Sequence, residues 1–259
     1  MKDFEITKEG IVIIQWLNTG DPQLGELLHH VVSHKETERD NYFVKYYKVS
    51  CKSEFIAVLE ELVNTTEEGT IFTLHIVAHG NENVIGVNSS DNMSWRELFQ
   101  YTRKLNIIMG NNLLLVLSSC VGGGILSHIE PEDRAPYRAV IANTRKVMMS
   151  DAHKGFEAFY KDYFSILDFP DSLKALNETI DFTMEIEPGK KKTEFFIMSA
   201  EASFDAVFDP DRDPVHFKSI VDKLMSPTPL IPQELRVEKL KELHRNRGKE
   251  LKPYFTFQD

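Results

Sequence analysis

The chain is predicted to fold as an α/β protein around a mostly parallel sheet, and three observations predict it. Short β-rich apolar runs alternate with stretches of helical periodicity over roughly the first 180 residues. Two of those runs, Leu74-His-Ile-Val-Ala-His79-Gly80 and Leu113-Leu-Leu-Val-Leu-Ser-Ser-Cys120, are apolar almost throughout, as strands covered on both faces must be. The β-α-β-α order makes right-handed crossovers, and therefore parallel neighbours, the default.

The elements follow in order. Ile11-Val-Ile-Ile-Gln-Trp-Leu17 reads as a strand closed by the turn cluster Asn18-Thr-Gly-Asp-Pro22. From Pro22 to about Arg39, Leu24, Leu27, Leu28, Val31 and Val32 recur at helical spacing. Phe43 to Val49 is a second strand. Ser53 opens a helix whose apolar face is Phe55, Ile56, Val58, Leu59 and Leu62, with Glu54 near its positive end. The third strand ends at His79-Gly80, and the polar stretch from Asn81 to Met93 reads as a loop. Ser94 with Glu97 three residues on forms a capping box for a helix through Leu105. A fourth strand ends at Cys120. The segment His128 to Pro136 is too polar and proline-bearing to be regular throughout.

Tyr137 to Ala142 is a fifth strand. Ser150 or Asp151 caps a helix carrying Phe156, Phe159, Tyr160, Tyr163 and Phe164, and Pro170 starts another to about Ile180. Further on, Phe182–Glu187 and Glu194–Ser199 read as a hairpin or two edge strands. Asp205 to Pro214 is a loop or linker, and Leu235 to Leu251 a highly charged helix with a sparse apolar stripe. The expected organisation is one domain over 1–204 with a C-terminal extension over 205–259, its helix packing on or beside that domain.

Composition bounds the function. Hydrophobic residues make up 42% of the 259-residue chain and charged residues 27%, ordinary for a globular protein that needs no disulfide to fold. Two cysteines form no disulfide framework and suit a reducing compartment. The N-terminus carries acids where a signal peptide has bases and an apolar core, and no apolar run reaches membrane-spanning length. A net charge of −10 argues against broad nucleic-acid binding. The expectation is a soluble cytoplasmic protein with no nucleic-acid partner and no membrane insertion.

The chemistry centres on His79 and Cys120. Open α/β folds place their sites at the carboxyl ends of parallel strands, and both residues stand where an apolar run ends. An imidazole and a thiol on one rim are the two reagents of a cysteine hydrolase. Ser118 and Ser119 mark the end of the apolar pattern, so Cys120 lies at the rim. Glycines 122–124 allow a tight turn and close approach of a ligand. Clustered backbone N–H groups there would stabilise a thiolate. Gly80 lets an amide N–H face a reacting carbonyl with no Cβ in the way. His75 points to the same face as His79 but lies deeper, so it reads as a core histidine.

Strand-His-Gly, a helix, then strand-Cys resembles the caspase-like fold of cysteine peptidases, and in detail its CHAT-type branch. That branch carries Ala-x-His-Gly and Leu-Ser-x-Cys-x-x-Gly. Here the counterparts are Ala78-His79-Gly80 and, with one substitution, Leu117-Ser118-Ser119-Cys120-Val121-Gly122-Gly123. The likeness covers roughly residues 11 to 180; the Gln-Ala-Cys of true caspases is missing. It implies a caspase-like three-layer sandwich and a Cys-His dyad with Cys120 as nucleophile and His79 as acid and base. It also implies an oxyanion hole from the N–H groups of Gly80 and Cys120, and no metal or other cofactor. The implied partner is a protein substrate, and bacterial relatives are often triggered effectors of defence or cell death. Ser118, at the position where metacaspases carry a specificity-setting acid, and Asp151, beyond the fifth strand, are candidate substrate-pocket residues. For Asp151 the competing role is a helix cap.

Two other functions compete with the endopeptidase. One is a catalytically silent caspase-like binding module, against which the presence of both His79 and Cys120 speaks. The other is a glutaminase-like amidohydrolase, whose histidine would lie downstream as in His128-Ile-Glu130. The C-terminal helix could also dock a regulatory protein, although a solvated face is the simpler role. His153-Lys-Gly155, like His128-Ile-Glu130, does not settle the amidohydrolase alternative, whereas Cys51 reads as structural and the His29-His30 pair and His34 as solvated-face residues.

Overall fold

The structure, a computed structural model, describes residues 4–129, 133–143, 145–166, 169–180, 195–208, 241–242 and 245–250. By contacts the chain divides into two units, Met1–His128 with Pro136–Met198, and Ile129–Ala135 with Ser199–Asp259.

The first unit is an α/β sandwich of the caspase-like type. Its strands are β1 (Lys8–Trp16), β2 (Tyr42–Val49), β3 (Thr70–Gly80), β4 (Val84–Gly86), β5 (Asn92–Ser94), β6 (Leu114–Ser118), β7 (Ala139–Asn143) and β8 (Phe195–Ser199). The main sheet runs β2-β1-β3-β6-β7-β8, and the pairs β1–β2, β1–β3, β3–β6 and β6–β7 are parallel. β1 is covered on both faces, which is why its residues from Ile11 to Trp16 are almost wholly inaccessible.

Helices α1 (Leu24–Ser33), α5 (Met149–Ile166) and α6 (Phe169–Thr179) cover one face, where Ile11, Ile13, Val77, Val116 and Ile141 pack against Leu28, Val32, Phe156, Phe159 and Leu176. On the opposite face lie α3 (Lys52–Thr65) and α4 (Trp95–Ile108); Trp16 stacks on Phe55 at 4.8 Å between ring centroids. A short α2 (Lys35–Glu38) follows α1. As the Ser94 capping box requires, the Glu97 N–H donates to Ser94 Oγ at 3.2 Å.

Several sequence expectations need correction. The stretch from Asn81 to Met93 is no simple loop. β4 pairs antiparallel with the end of β3, and β5 pairs with β4. Local side chains turn the chain there: Asn81 Oδ1 accepts the N–H groups of Asn83 and Val84, and Asn88 Oδ1 those of Ser90 and Asp91. Neither Ser150 nor Asp151 caps α5, which begins at Met149; the Met148 carbonyl accepts from the N–H groups of Asp151 and Ala152. Cys51, not Ser53, occupies the cap position of α3. The glycines after Cys120 form a short 3₁₀ helix, Gly122–His128.

In the second unit, Asp205 lies inside α7 (Ala200–Phe208), whose start is capped by Ser199 Oγ accepting from the Ala202 N–H at 3.1 Å. Phe182–Glu187, Asp209–Pro214 and most of the charged C-terminal helix lie outside the described residues.

Candidate active site

The register of the sheet brings His79 and Cys120 to one place. Along the β3–β6 pair Thr73 is level with Leu114 and Val77 with Ser118, an offset of 41 residues (114 − 73). The interval from His79 to Cys120 is also 41 (120 − 79), so each stands two residues beyond the last ladder pair, Val77 with Ser118, on the rim where the neighbouring strands end. Gly80 confirms the proximity. A Cβ built there would lie 3.1 Å from Ser119 Cβ and 3.2 Å from the Cys120 carbonyl oxygen. The side chains of His79 and Cys120 are both partly open to solvent. The thiol donates to the Val147 carbonyl at 3.6 Å.

A residue that the sequence pattern did not single out completes the rim. Asp21, in the turn after β1, accepts a hydrogen bond from His79 Nε2 on its Oδ2 at 2.9 Å. The same oxygen accepts the Asn18 N–H, also at 2.9 Å. Partial burial pushes the Asp21 carboxyl up, but the bonds from His79 and Asn18 outweigh it and hold the group below the usual carboxylate value. A carboxylate at Nε2 fixes the proton of neutral His79 on that nitrogen, leaving Nδ1 as a lone-pair acceptor. One clue to this acid was available: it follows a central strand, on the rim where sites form.

The chain leaves β6 through a strained elbow. Val121 has φ = 54°, a left-handed conformation unfavourable for a β-branched residue. It is held by its N–H donating to the Arg145 carbonyl at 2.9 Å and by the Gly122 N–H donating to Asn143 Oδ1 at 3.3 Å. The bend is therefore made by valine, and the three glycines answer a shortage of space. A Cβ on Gly122 would meet Ser119 Oγ at 2.9 Å, and one on Gly123 the Asn143 carbonyl at 2.9 Å. One on Gly124 would lie 2.6 Å from Glu82 Cα, where backbone cannot give way. Gly124→Ala is expected to destabilise the fold by roughly 1–3 kcal/mol, read as a lower denaturant midpoint with an unchanged slope.

Beneath the rim lies a buried polar triad. His75 is fully buried, with Nδ1 at 2.8 Å from Tyr160 Oη and Nε2 at 2.7 Å from Ser118 Oγ. A neutral imidazole has one donor and one acceptor, which two hydroxyls satisfy. Burial pushes the His75 pKa down to about 3 and that of Tyr160 far up, so both stay uncharged near neutrality.

Residues 3–179 match the family model described as the Peptidase C13 family. The chain belongs to that family. No curated protein matches the chain. The Peptidase C13 family is one of cysteine peptidases in the legumain and caspase-like clan, and its match spans β1 to β7 together with His79 and Cys120. Clan and fold agree with the likeness in the motifs; the match names the Peptidase C13 family and not the CHAT-type branch that the motifs resemble.

Within this Peptidase C13 chain the other candidates sit as follows. Ser118 is buried, and its hydroxyl lies 2.7 Å from His75 Nε2. Asp151 lies in the first turn of α5. His128 Nε2 lies 3.0 Å from the Glu82 carbonyl, and Glu130 is outside the described residues. Cys51 Sγ lies 3.1 Å from Ser53 Oγ, His29 stacks on Tyr46, His34 lies 3.8 Å from Glu38, and His153 faces Glu157. Among the described residues no group of three or more His, Cys, Asp or Glu could hold a metal ion, and no helix is long and apolar enough to cross a membrane.

Proposed function

We propose that the protein is a cysteine endopeptidase that cleaves a protein partner, with Cys120 as nucleophile, His79 as base and acid, and Asp21 orienting His79. One observation carries this reading: the register that makes the covalent interval between His79 and Cys120 equal to the offset of their strands. Nδ1 of His79 takes the thiol proton as sulfur attacks the peptide carbonyl carbon. The N–H groups of Gly80 and Cys120 receive the oxyanion; one such donor is worth about 3 kcal/mol in the transition state. Collapse breaks the C–N bond, and the leaving amine takes the proton from His79. Water, deprotonated by His79, then hydrolyses the thioester and restores the thiol.

The CHAT-type spelling around Ala78–Gly80 and Leu117–Gly123 supports a narrower role, a triggered cytoplasmic effector in bacterial defence or cell death. The decisive experiment is digestion of a peptide library read by mass spectrometry, with Cys120→Ala as control. Cleavage is expected from the native chain and absent from the variant. Equal cleavage by both, or turnover of free glutamine that depends on His128 alone, would overturn the assignment.

A further inference from the structure

We propose that Gln15 is a positioning residue for the Asp21–His79 pair, acting through Gln23. In its consequence for turnover this rests on the peptidase reading; in its geometry it does not. Gln15 interrupts the apolar run of β1 and is 1% exposed. A buried amide is costly unless both its ends are bonded, so an apolar residue is the default in such a strand. Both ends are in fact engaged by the start of α1, directly after the turn that carries Asp21. Oε1 accepts the Gly25 N–H at 2.7 Å, and Nε2 donates to Gln23 Oε1 at 2.6 Å.

The first contact caps a helix from outside. Gly25 lies in the first turn of α1, where N–H groups lack partners within the helix, and Gln23 at the cap position makes no side-chain cap bond. Gly25 is glycine for the same reason: a Cβ there would lie 2.9 Å from Gln15 Cβ and 3.0 Å from its Oε1.

The second contact continues to the rim. With Oε1 occupied by Gln15, Gln23 turns Nε2 toward the Asp21 carbonyl and donates to it at 2.7 Å. That fixes the backbone of Asp21, whose carboxylate then meets the Asn18 N–H and His79 Nε2. Because an amide has one donating and one accepting end, the direction of each bond in this chain sets the next. A side chain locked inside the sheet thereby sets where a carboxylate in a surface turn can stand.

The test uses the full chain with Gln15→Met, which removes both contacts, and Gln23→Leu, a change at a partly exposed position that removes only the relay. Two readouts are taken: the titration of the Asp21 carboxyl by carbon NMR, and kcat and KM on a cleaved library peptide. In both variants the Asp21 titration is expected to rise toward the ordinary carboxylate range as its bonds loosen. kcat is expected to fall roughly ten- to a hundredfold with KM nearly unchanged. An Asp21 titration unmoved in both variants overturns the proposal, and movement in Gln23→Leu alone removes Gln15 from it. A change confined to KM overturns the link to the chemical step. Should the titration move in a chain that cleaves no peptide, the positioning role stands and the peptidase reading falls.

Discussion

Alanine at Cys120 or at His79 is expected to lower kcat/KM by about four to six orders of magnitude on any peptide the native chain cleaves. The two losses should not add, because thiol and imidazole act as one unit. The Asp21 series is more informative about the geometry. Asp21→Ala leaves Nε2 of His79 without its acceptor and frees the wrong tautomer, so a loss of roughly a hundredfold or more is expected. Asp21→Asn should be milder, about tenfold. The Asn18 N–H and His79 Nε2 converge on one oxygen, and the backbone N–H would hold an amide oxygen at that point, not an amide nitrogen. The tautomer then survives, and what disappears is the extra strength of a charge-assisted bond. Steady-state kinetics on one peptide with the four variants measures all of this. An Asp21→Asn loss as large as that of Asp21→Ala would show that Asn18 does not orient the group.

Acid is expected to weaken the fold through His75 well before the carboxylates titrate. Its pKa is about 3 in the folded state against 6.5 for an unperturbed histidine. Below pH 6.5 the unfolded chain therefore binds a proton that the folded chain refuses. Its contribution to stability is whole above pH 6.5 and is lost progressively as pH falls toward 3. The expected loss is about 2 kcal/mol by pH 5. Burial also pulls His153 down, in the same direction, whereas the lowered Asp21 adds its loss only as the carboxyl itself protonates. Urea unfolding of the native chain and of His75→Gln at pH 7 and pH 5 separates the terms. The variant should show a flatter pH dependence whatever its absolute stability; an equal slope would mean that water reaches His75.

Much of this molecule could be read before its coordinates. Apolar runs bounded by turns located β1, β3, β6 and β7, because a strand covered on both faces leaves a nearly unbroken hydrophobic signature, while the edge strand β2 was located by its valines and aromatic residues. The rim rule located His79 and Cys120. β4 and β5 escaped because they are three residues each, too short for any period, and their turns are made by asparagine side chains. Asp21 escaped for another reason. It is distant from both reactive residues in the chain, and an acid within Asn18-Thr-Gly-Asp-Pro22 is what an ordinary turn also contains. The glycines after Cys120 were visible, but much of the crowding that requires them comes from Glu82 and Asn143, which only the packed structure brings near.

The equality between a covalent interval and a strand offset has a bearing on how such a chain can vary in length. Residues added to the Asn88–Asp91 turn or at the ends of α4 need not disturb the chemistry, since the ladder between β3 and β6 sets alignment without regard to what the crossover contains. Losing a single residue within Leu114–Ser118 is a different matter. It would carry the sulfur to the opposite side of the sheet, away from the imidazole, with every apolar contact of that strand inverted at the same time. Natural insertions and deletions should therefore crowd into the crossover and avoid those five positions.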